Sequence, residues 1–583
     1  MKVFKRISWF IKEEKWSYIL GILCLTFIAI LNLLPSRIVG IVIDEIVKGT
    51  LTHESLLMYT AATLFIAVII YLARYGWRVF IFATSYRLER KIRLNLFRHL
   101  TRMSPSFFQE HRTGDLMAHA TNDIRAIQRV ASNGVLQFAD AFIGGFTILA
   151  AMTFTISWKL TLFAVLPMPI MIIGSQKLGK LIHSKFMESQ EAFSALNNRV
   201  HESISGIKVT KTFGQEQEEV IQFAKDSDDV LEKQMQVTKY DTLFDPLVMG
   251  VLIIIYIIVF SFGIYLIQTG ELTTGLLTTF ISYIHQLLWP MMALGFLFNN
   301  VERGNVALDR IEKIMNVKED IVNHDLIQLE SFEGDLEFNI KGFKYPDEKD
   351  SYAIEDLAFT LKEGQTLGVV GKTGSGKSTL LKLLLREYDD YEGYILYDKK
   401  NIKDINLHNL RQAIGYVPQE NFLFSMTIED NIRFGHPSAS FDDVVKAAKT
   451  AGVHEDILGF EEGYQTLIGE KGVTLSGGQR QRVSIARALL LDSNILILDD
   501  SLSAVDAKTE ELILEGLKEN RKDSTTIILA HRLSALKHAD LILVMDQGKV
   551  IERGNHASLI KDNGWYAMIF KQQEFAKEQE HHA

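Results

Sequence analysis

The sequence predicts a multidomain chain: an α-helical membrane half of six spans, then a soluble α/β half built around a phosphate-binding loop. Three observations carry this. Six long apolar runs fill the first 300 residues. Past residue 330 the composition becomes that of a soluble α/β protein. There, Gly371–Thr379 reads GKTGSGKST between an apolar strand and a helix. With 583 residues, the chain is also too long for one core.

The apolar runs lie near residues 17–43, 57–80, 134–157, 159–181, 246–268 and 276–299. A helix rising 1.5 Å per residue needs about 20 residues to cross a hydrocarbon core of roughly 30 Å. Each run meets that length, and their number excludes core helices of a soluble protein. Orientation follows from the basic residues. Lys2, Lys5 and Arg6 precede the first run, a series from Arg74 to Arg98 follows the second, and Lys177, Lys180 and Lys185 follow the fourth. The alternate loops, Asp44–Glu54, Ser157–Lys159 and Gln268–Thr274, are short and poor in positive charge. The sequence therefore predicts a multi-pass protein of the cell membrane with both termini in the cytosol.

The loops on the basic side are long. Residues 81–133 and 182–245 are charged and helical in period, with Leu88, Ile92, Leu96 and Leu100 along one face. They read as helices continuing from the spans into the cytosol. Breaks at Ser104-Pro105 and Gly206 predict turns carrying short transverse helices that touch the soluble half. The domain reading is 1–304 for the membrane half with its extensions, 305–332 for a linker, and 333–583 for the soluble half.

Composition excludes several classes. A formal net charge of -9 gives no argument for a nucleic-acid partner. A single cysteine, Cys24, rules out a disulfide framework or cysteine-rich metal site within the chain. Met1–Trp16 is basic and mixed, and the first apolar run exceeds a signal h-region, so no cleavable signal peptide is expected.

Thr366–Val370 reads as a buried strand and Leu380–Leu385 as the start of a helix. Between them, Gly371, Lys372, Thr373, Gly374, Ser375, Gly376, Lys377, Ser378 and Thr379 match the phosphate-loop pattern. Glycines let backbone N–H groups turn onto phosphates, and the helix N-terminus adds positive partial charge. Lys377 would reach the β- and γ-phosphates of ATP, and Ser378 would hold Mg²⁺ by its hydroxyl. A hundred residues on, Leu475, Ser476, Gly477, Gly478 and Gln479 open a helix through Leu490 whose N-terminus suits a γ-phosphate. The apolar strand Ile495–Leu498 ends in Asp499, a hard oxygen ligand for Mg²⁺ or its waters. His531 follows the strand Thr525–Leu529 and can donate to a phosphate.

These motifs, in this order, resemble the half-transporters of the ABC exporter family over the whole chain. The resemblance implies a six-helix transmembrane exporter domain plus an α/β P-loop nucleotide-binding domain. It implies that Tyr345, in Phe343–Pro346, stacks on adenine, although a lone tyrosine there also suits plain packing. It assigns Gln419, in Tyr416–Gln419, to the Q-loop, where its oxygen would meet Mg²⁺. Glu470 and Gly472 fall in the X-loop, Leu475–Gln479 in the signature, Ser503 and Asp506 in the D-loop, and His531 at the switch position. In that family ATP is sandwiched between one domain's phosphate loop and another's signature, so the unit is a dimer with two ATP sites, ATP-hydrolysing and coupled to transport.

The family places glutamate, which orients or deprotonates water, where this chain has Asp500. The carboxylate retreats by roughly an ångström, a displacement that can cost about 10²-fold in rate. Acidity barely changes, since the two side chains differ by about 0.4 pKa units in model peptides. Two readings are open. In one, the chain is half of a heterodimeric bacterial multidrug exporter, slow at its own site and completing the partner's site with its signature. In the other, a homodimer exporting lipid or peptide tolerates aspartate. A regulatory subunit that gates without transporting is a third class. The spans suit hydrophobic or amphipathic compounds and lipid equally. Tyr283, His285 and Trp289 in the sixth run are candidate cavity residues, and Asp140, Asp241 and Asp245 are expected to face water.

Overall fold

The computed structural model describes residues 2–321, 327, 334–348, 351–469, 475–502, 505, 507–520 and 524–582. The chain divides into two compact units, Met1–His99 with Gly114–Asn316, and Leu100–Thr113 with Val317–Ala583.

In the first unit, six helices are long and apolar enough to cross a membrane: Lys15–Lys48, His53–Leu100, Thr113–Ile156, Trp158–Ser205, Glu216–Gln268 and Thr274–Met315. They are spans 1 to 6 below. Each covers one predicted apolar run to within a residue and extends beyond it at one end or both, as the helical period of the charged loops requires. The chain breaks where Ser104-Pro105 and Gly206 stand, and short helices follow at Pro105–Glu110 and Ile207–Thr212. Span 6 continues past the apolar stretch to Met315 because Ala307, Leu308, Ile311 and Ile314, at helical spacing, are buried. Large apolar residues such as Leu64, Phe65, Leu72 and Phe154 face outward, as lipid contact demands.

Spans 1 and 6 meet along a seam of small and polar residues. Tyr283 Oη donates to Leu33 O (3.1 Å), Gln286 Nε2 to Ser36 Oγ (2.9 Å), and Thr279 Oγ1 to Ser36 O (3.3 Å). Asp44 accepts from Thr273 Oγ1 (2.6 Å) and from the Gly275 N–H (2.7 Å). Gly40 and Gly275 let the two backbones touch: a Cβ on Gly275 would lie 1.9 Å from Gly40 O.

The second unit holds a four-stranded antiparallel sheet, order β2-β1-β4-β5, and a six-stranded sheet, order β10-β9-β3-β8-β7-β6. The strands are β1 (Leu336–Phe343), β2 (Ile354–Leu361), β3 (Thr366–Gly371), β4 (Glu392–Tyr397), β5 (Lys400–Asn401), β6 (Ile414–Val417), β7 (Ile495–Asp499), β8 (Thr525–Leu529), β9 (Leu541–Asp546) and β10 (Lys549–Gly554). Pairings β3–β8, β3–β9, β6–β7 and β7–β8 are parallel. The run Ile495–Asp499 is buried at every position, the mark of a strand covered on both faces. Residues 100–113 belong to this unit. Tyr388 Oη donates to Gln109 Oε1 (3.1 Å), and the Ser104 and Ser106 hydroxyls donate to Asp320 (2.5 and 3.0 Å).

The seam between spans 1 and 6 gives a direct test. Gly275→Ala overpacks the crossing and is expected to lower stability by about 1–3 kcal/mol, read as a lower unfolding temperature in detergent. Gly179→Ala, whose new Cβ meets nothing within 4 Å, is the control and should leave it unchanged. Equal effects of the two would refute the close-approach account.

Candidate functional site

Four neighbouring parallel strands bring the predicted residues to one edge. Val369 of β3 pairs with Leu529 of β8, Leu529 with Asp499 of β7, and Leu498 with Val417 of β6. The phosphate loop, His531, the Asp499-Asp500 pair and Gln419 therefore all emerge at carboxyl ends of the same sheet, where open α/β sheets bind ligands.

The phosphate loop is fixed by its glycines. Gly374 and Gly376 have φ of +80° and +97°, and a Cβ on Gly376 would lie 2.5 Å from Ala353 O. A Cβ on Gly371 would lie 2.1 Å from Met545 O, so the loop lies against β9 backbone. The helix Lys377–Leu384 starts immediately after, earlier than the apolar pattern alone suggested. Lys372, Thr373 and Gly374 are exposed, whereas Ser375, Lys377 and Thr379 are buried. Lys377 Nζ donates to Gly371 O (2.8 Å) and Lys372 O (2.9 Å), so the ammonium sits inside the loop. Burial pushes its pKa down, and the charges of Asp500 and Asp499 oppose that shift. Tyr345 Oη hydrogen-bonds Thr379 Oγ1 (2.9 Å), and its ring meets Phe343 and Tyr388 edge-on. The adenine-stacking candidate is thus tied to the loop's helix and packed on two rings.

Asp499 is 7% exposed. The hydroxyls of Ser378 and Tyr416 both hydrogen-bond its carboxylate. Burial raises its pKa above the usual carboxylate range and the Asp500 charge adds to that, while Ser378, Tyr416 and Lys377 oppose. The hydroxyl and carboxylate expected to serve Mg²⁺ are therefore together. Gln419 is exposed just beyond β6, and among the described residues no hydrogen bond joins it to Ser378 or Asp499. Asp500 leaves β7 with φ of +47° while its N–H still bonds Leu529 O (2.9 Å). Aspartate is among the few side chains that enter this left-handed region readily.

His531 is exposed, and its backbone is clamped from the C-terminal helix Trp565–His582. Gln573 Nε2 donates to His531 O (2.8 Å), and Gln573 Oε1 accepts from the Leu533 N–H (2.9 Å).

The signature opens the helix Gly477–Leu490 with Ser476 as N-cap. Ser476 Oγ accepts from the Gln479 N–H (3.2 Å), and Gln479 Oε1 accepts from the Ser476 N–H (3.0 Å). Gly477 and Gly478 form the first turn, and Leu475 is buried as its anchor. This helix packs in one hydrophobic cluster and the phosphate-loop helix in another. The signature helix is joined to the segment after Gln419 by Arg487, which donates to Phe422 O (3.0 Å), Asn431 O (2.8 Å) and Asn431 Oδ1 (2.9 Å). Burial lowers the Arg487 pKa to about 10. Glu470, Gly472, Ser503 and Asp506 lie outside the described residues.

Within the membrane half, Tyr283 is buried in the seam with span 1 rather than lining a cavity. His285 and Trp289 are exposed, and Trp289 Nε1 donates to Asp140 Oδ2 (2.9 Å), so Asp140 is engaged by indole. Asp241 and Asp245 are exposed. Sequence reasoning did not single out Tyr416, Arg487 or Gln573. Tyr416 stands inside the Q-loop motif, yet its bond to Asp499 follows from the β6–β7 register. Gln573 and Arg487 carry no pattern of their own.

A six-span membrane half joined to a P-loop α/β half with a serine-capped signature helix defines a membrane-embedded nucleotide-using transport protein. Residues 18–291 match the ABC transporter transmembrane region and 354–503 the ABC transporter family. The chain is 42% identical over 98% of its length to a probable multidrug resistance ABC transporter ATP-binding/permease protein, YheI, of Bacillus subtilis, covering 98% of that protein. It is also 42% identical to the multidrug resistance-like ATP-binding protein MdlA of Escherichia coli, over 98% of this chain and 97% of that one. A bacterial Atm1-family ABC exporter solved with ATP bound has the same fold, with TM-score 0.78, 25% identity, and coverage of 97% of this chain and 98% of that chain. The chain belongs to the ABC transporter family: it is a multi-pass membrane protein that binds ATP and couples its hydrolysis to transport.

The raised pKa of Asp499 has a pH consequence. A metal ligand must be ionised, so ATP binding in Mg²⁺ is expected to weaken as pH falls, beginning above the ordinary aspartate value of about 3.9. For stability the sign is opposite. A raised folded-state pKa means that ionisation costs stability, so its contribution is present at low pH and lost as pH rises through the folded value. Nucleotide-binding titrations against pH should show the acid limb in the wild type and not in Asp499→Asn. The same limb in both would exclude Asp499 as its source.

Proposed function

We propose that the chain is one half of a heterodimeric exporter of hydrophobic or amphipathic compounds, with its termini in the cytosol of a cell whose plasma membrane it spans. The observation that carries this is the combination, in one chain, of Asp500 and a signature helix whose N-terminus holds a complete capping box. A chain slow at its own site still needs a sound signature for its partner's. The multidrug names of the relatives and the apolar spans support the substrate class, and the likeness of the motifs to the BmrC half of a BmrC/BmrD pair supports the pairing.

In this reading Gly371–Thr379 cradle the phosphates of ATP, Lys377 leaves its backbone acceptors for the β- and γ-phosphates, and Tyr345 faces adenine. Ser378 and Asp499 would hold Mg²⁺, which would neutralise developing charge on the phosphates. Among the described residues no cluster of three His, Cys, Asp or Glu exists, so these two groups need phosphate and water oxygens to complete a shell. Gln419 moves in from its exposed position when nucleotide arrives, His531 donates to the γ-phosphate, and Ser476–Gln479 serve the opposite site. The family resemblance assigns Ser503 and Asp506 to the D-loop. Closure of the two ATP domains reaches the membrane helices through the segment around Pro105–Glu110, which is bonded to Tyr388 and Asp320. The domain division proposed is 1–304, 305–332 and 333–583.

The test is ATP hydrolysis by the chain purified alone, with Asp500→Glu beside it. Hydrolysis near background with nucleotide still bound is expected for the wild type, and a gain of up to about 10²-fold for the variant. Robust cooperative turnover by the unaltered chain would overturn the heterodimer in favour of a working homodimer.

A further inference from the structure

We propose that a groove between spans 2 and 3 is a binding site for a multivalent anionic ligand carrying phosphate or carboxylate groups. This lies apart from the ATP site and does not depend on the heterodimer reading. The groove encloses about 550 Å³ and is lined by Tyr86, Glu89, Arg90, Arg93, Arg125, Gln128 and Arg129. That volume is within the range of small-molecule sites.

Two helix faces build it. On span 2, Tyr86, Glu89, Arg90 and Arg93 recur at helical spacing, and on span 3 Arg125, Gln128 and Arg129 do the same. Gln128, 8% exposed, fixes the floor by donating to Ser85 Oγ (2.7 Å). Arg93 bonds Glu89 (2.5 Å) and Ala120 O (3.2 Å), which neutralises one guanidinium. Arg90, Arg125 and Arg129 have no carboxylate partner among the described residues.

A stretch of basic residues beside a membrane is ordinarily explained by orientation alone. Neighbours on the same helix argue for more. Arg87 pairs with Glu14 (3.1 Å) and Lys91 with Glu13 (2.6 Å), so these two basic residues turned from the groove are neutralised by the segment just before span 1. Those facing the groove are left as three unpaired guanidiniums around one cavity, an arrangement whose self-repulsion a bound anion relieves. Guanidinium forks match carboxylate and phosphate oxygens in pairs, and Tyr86, exposed, offers a ring to a flat organic body.

Position favours a soluble anion over a lipid headgroup. The closely spaced outward apolar residues of span 2 run to Val79, beyond which Tyr86, Leu94 and Phe97 stand among charged residues. Arg90 lies eleven residues further, about 16 Å along the helix, whereas the headgroup layer is roughly 5–8 Å deep on each side.

The test uses the full-length chain in nanodiscs, saturated with ATP so that the phosphate loop does not compete. Inositol hexakisphosphate and citrate are the soluble probes in phosphatidylcholine discs, and phosphatidylglycerol discs supply the lipid arm. Saturable probe binding that weakens about tenfold or more in Arg90→Gln/Arg125→Gln, with ATP affinity unchanged, supports a soluble-anion site. Arg87→Gln, on the paired side, should bind as wild type. Retention of phosphatidylglycerol alone, lost in the double variant, keeps the anion site but assigns it to lipid. Binding of neither probe nor lipid, or equal loss in Arg87→Gln, overturns the proposal.

Discussion

The hydrogen bond between Ser378 and the buried carboxylate of Asp499 ties the two halves of the nucleotide chemistry together. One group opens the helix after the phosphate loop, and the other ends the strand β7 two places away in the sheet. Strands two places apart are separated by about 9.6 Å, so the bond forms only because the loop turns its helix back over the sheet edge. Gly371 and Gly376 allow that turn, since any side chain there would strike Met545 or Ala353 backbone. Burial of Asp499 then sets the electrostatics. Its ionisation is disfavoured by desolvation and by Asp500, and Ser378, Tyr416 and Lys377 each offset part of that. A divalent ion at this point would supply the missing positive charge.

The membrane half obeys a different constraint. Lipid offers no hydrophobic drive between helices, so close approach and hydrogen bonds must hold them. Spans 1 and 6 do this with Gly40 against Gly275, with bonds donated by Tyr283, Gln286 and Thr279, and with one accepted by Asp44. Tyr283 illustrates the competition between packing and function at an aromatic residue. Its hydroxyl needs a partner when buried, and Leu33 O provides one.

Legibility in the sequence followed the range of the physics. Spans, strand ends and loop glycines were readable because period, length and turn chemistry are local. The breaks at Ser104-Pro105 and Gly206 were readable for the same reason. Tyr416, Arg487 and Gln573 were not, because each acts on a group brought near by sheet register or helix docking. Tyr283 was misplaced because an aromatic residue in an apolar run has no local mark separating cavity from seam. Span 6 outran its apolar stretch because burial of Ala307 to Ile314 depends on neighbours that composition does not reveal. The roles of Ser503 and Asp506 fall outside the described residues.

Asp500 joins these threads. Its carboxylate acts on both Lys377 and Asp499, so it belongs to the electrostatics of the site even if it reaches water poorly. Its backbone is left-handed, where aspartate is better tolerated than longer side chains. A glutamate here would gain reach and lose some backbone ease, so geometry at this position trades placement of the carboxylate against conformation of the strand end. In a site proposed to hydrolyse ATP slowly, placement of the carboxylate is expendable and occupancy is not. The buried Ser378–Asp499 bond and the enclosed Lys377 serve occupancy, and both are intact. The signature helix, which serves the opposite site in the proposed pair, likewise keeps its complete N-terminal capping box. In the proposed pair, the difference that slows this chain's own site is one methylene, at the position where water would be aligned.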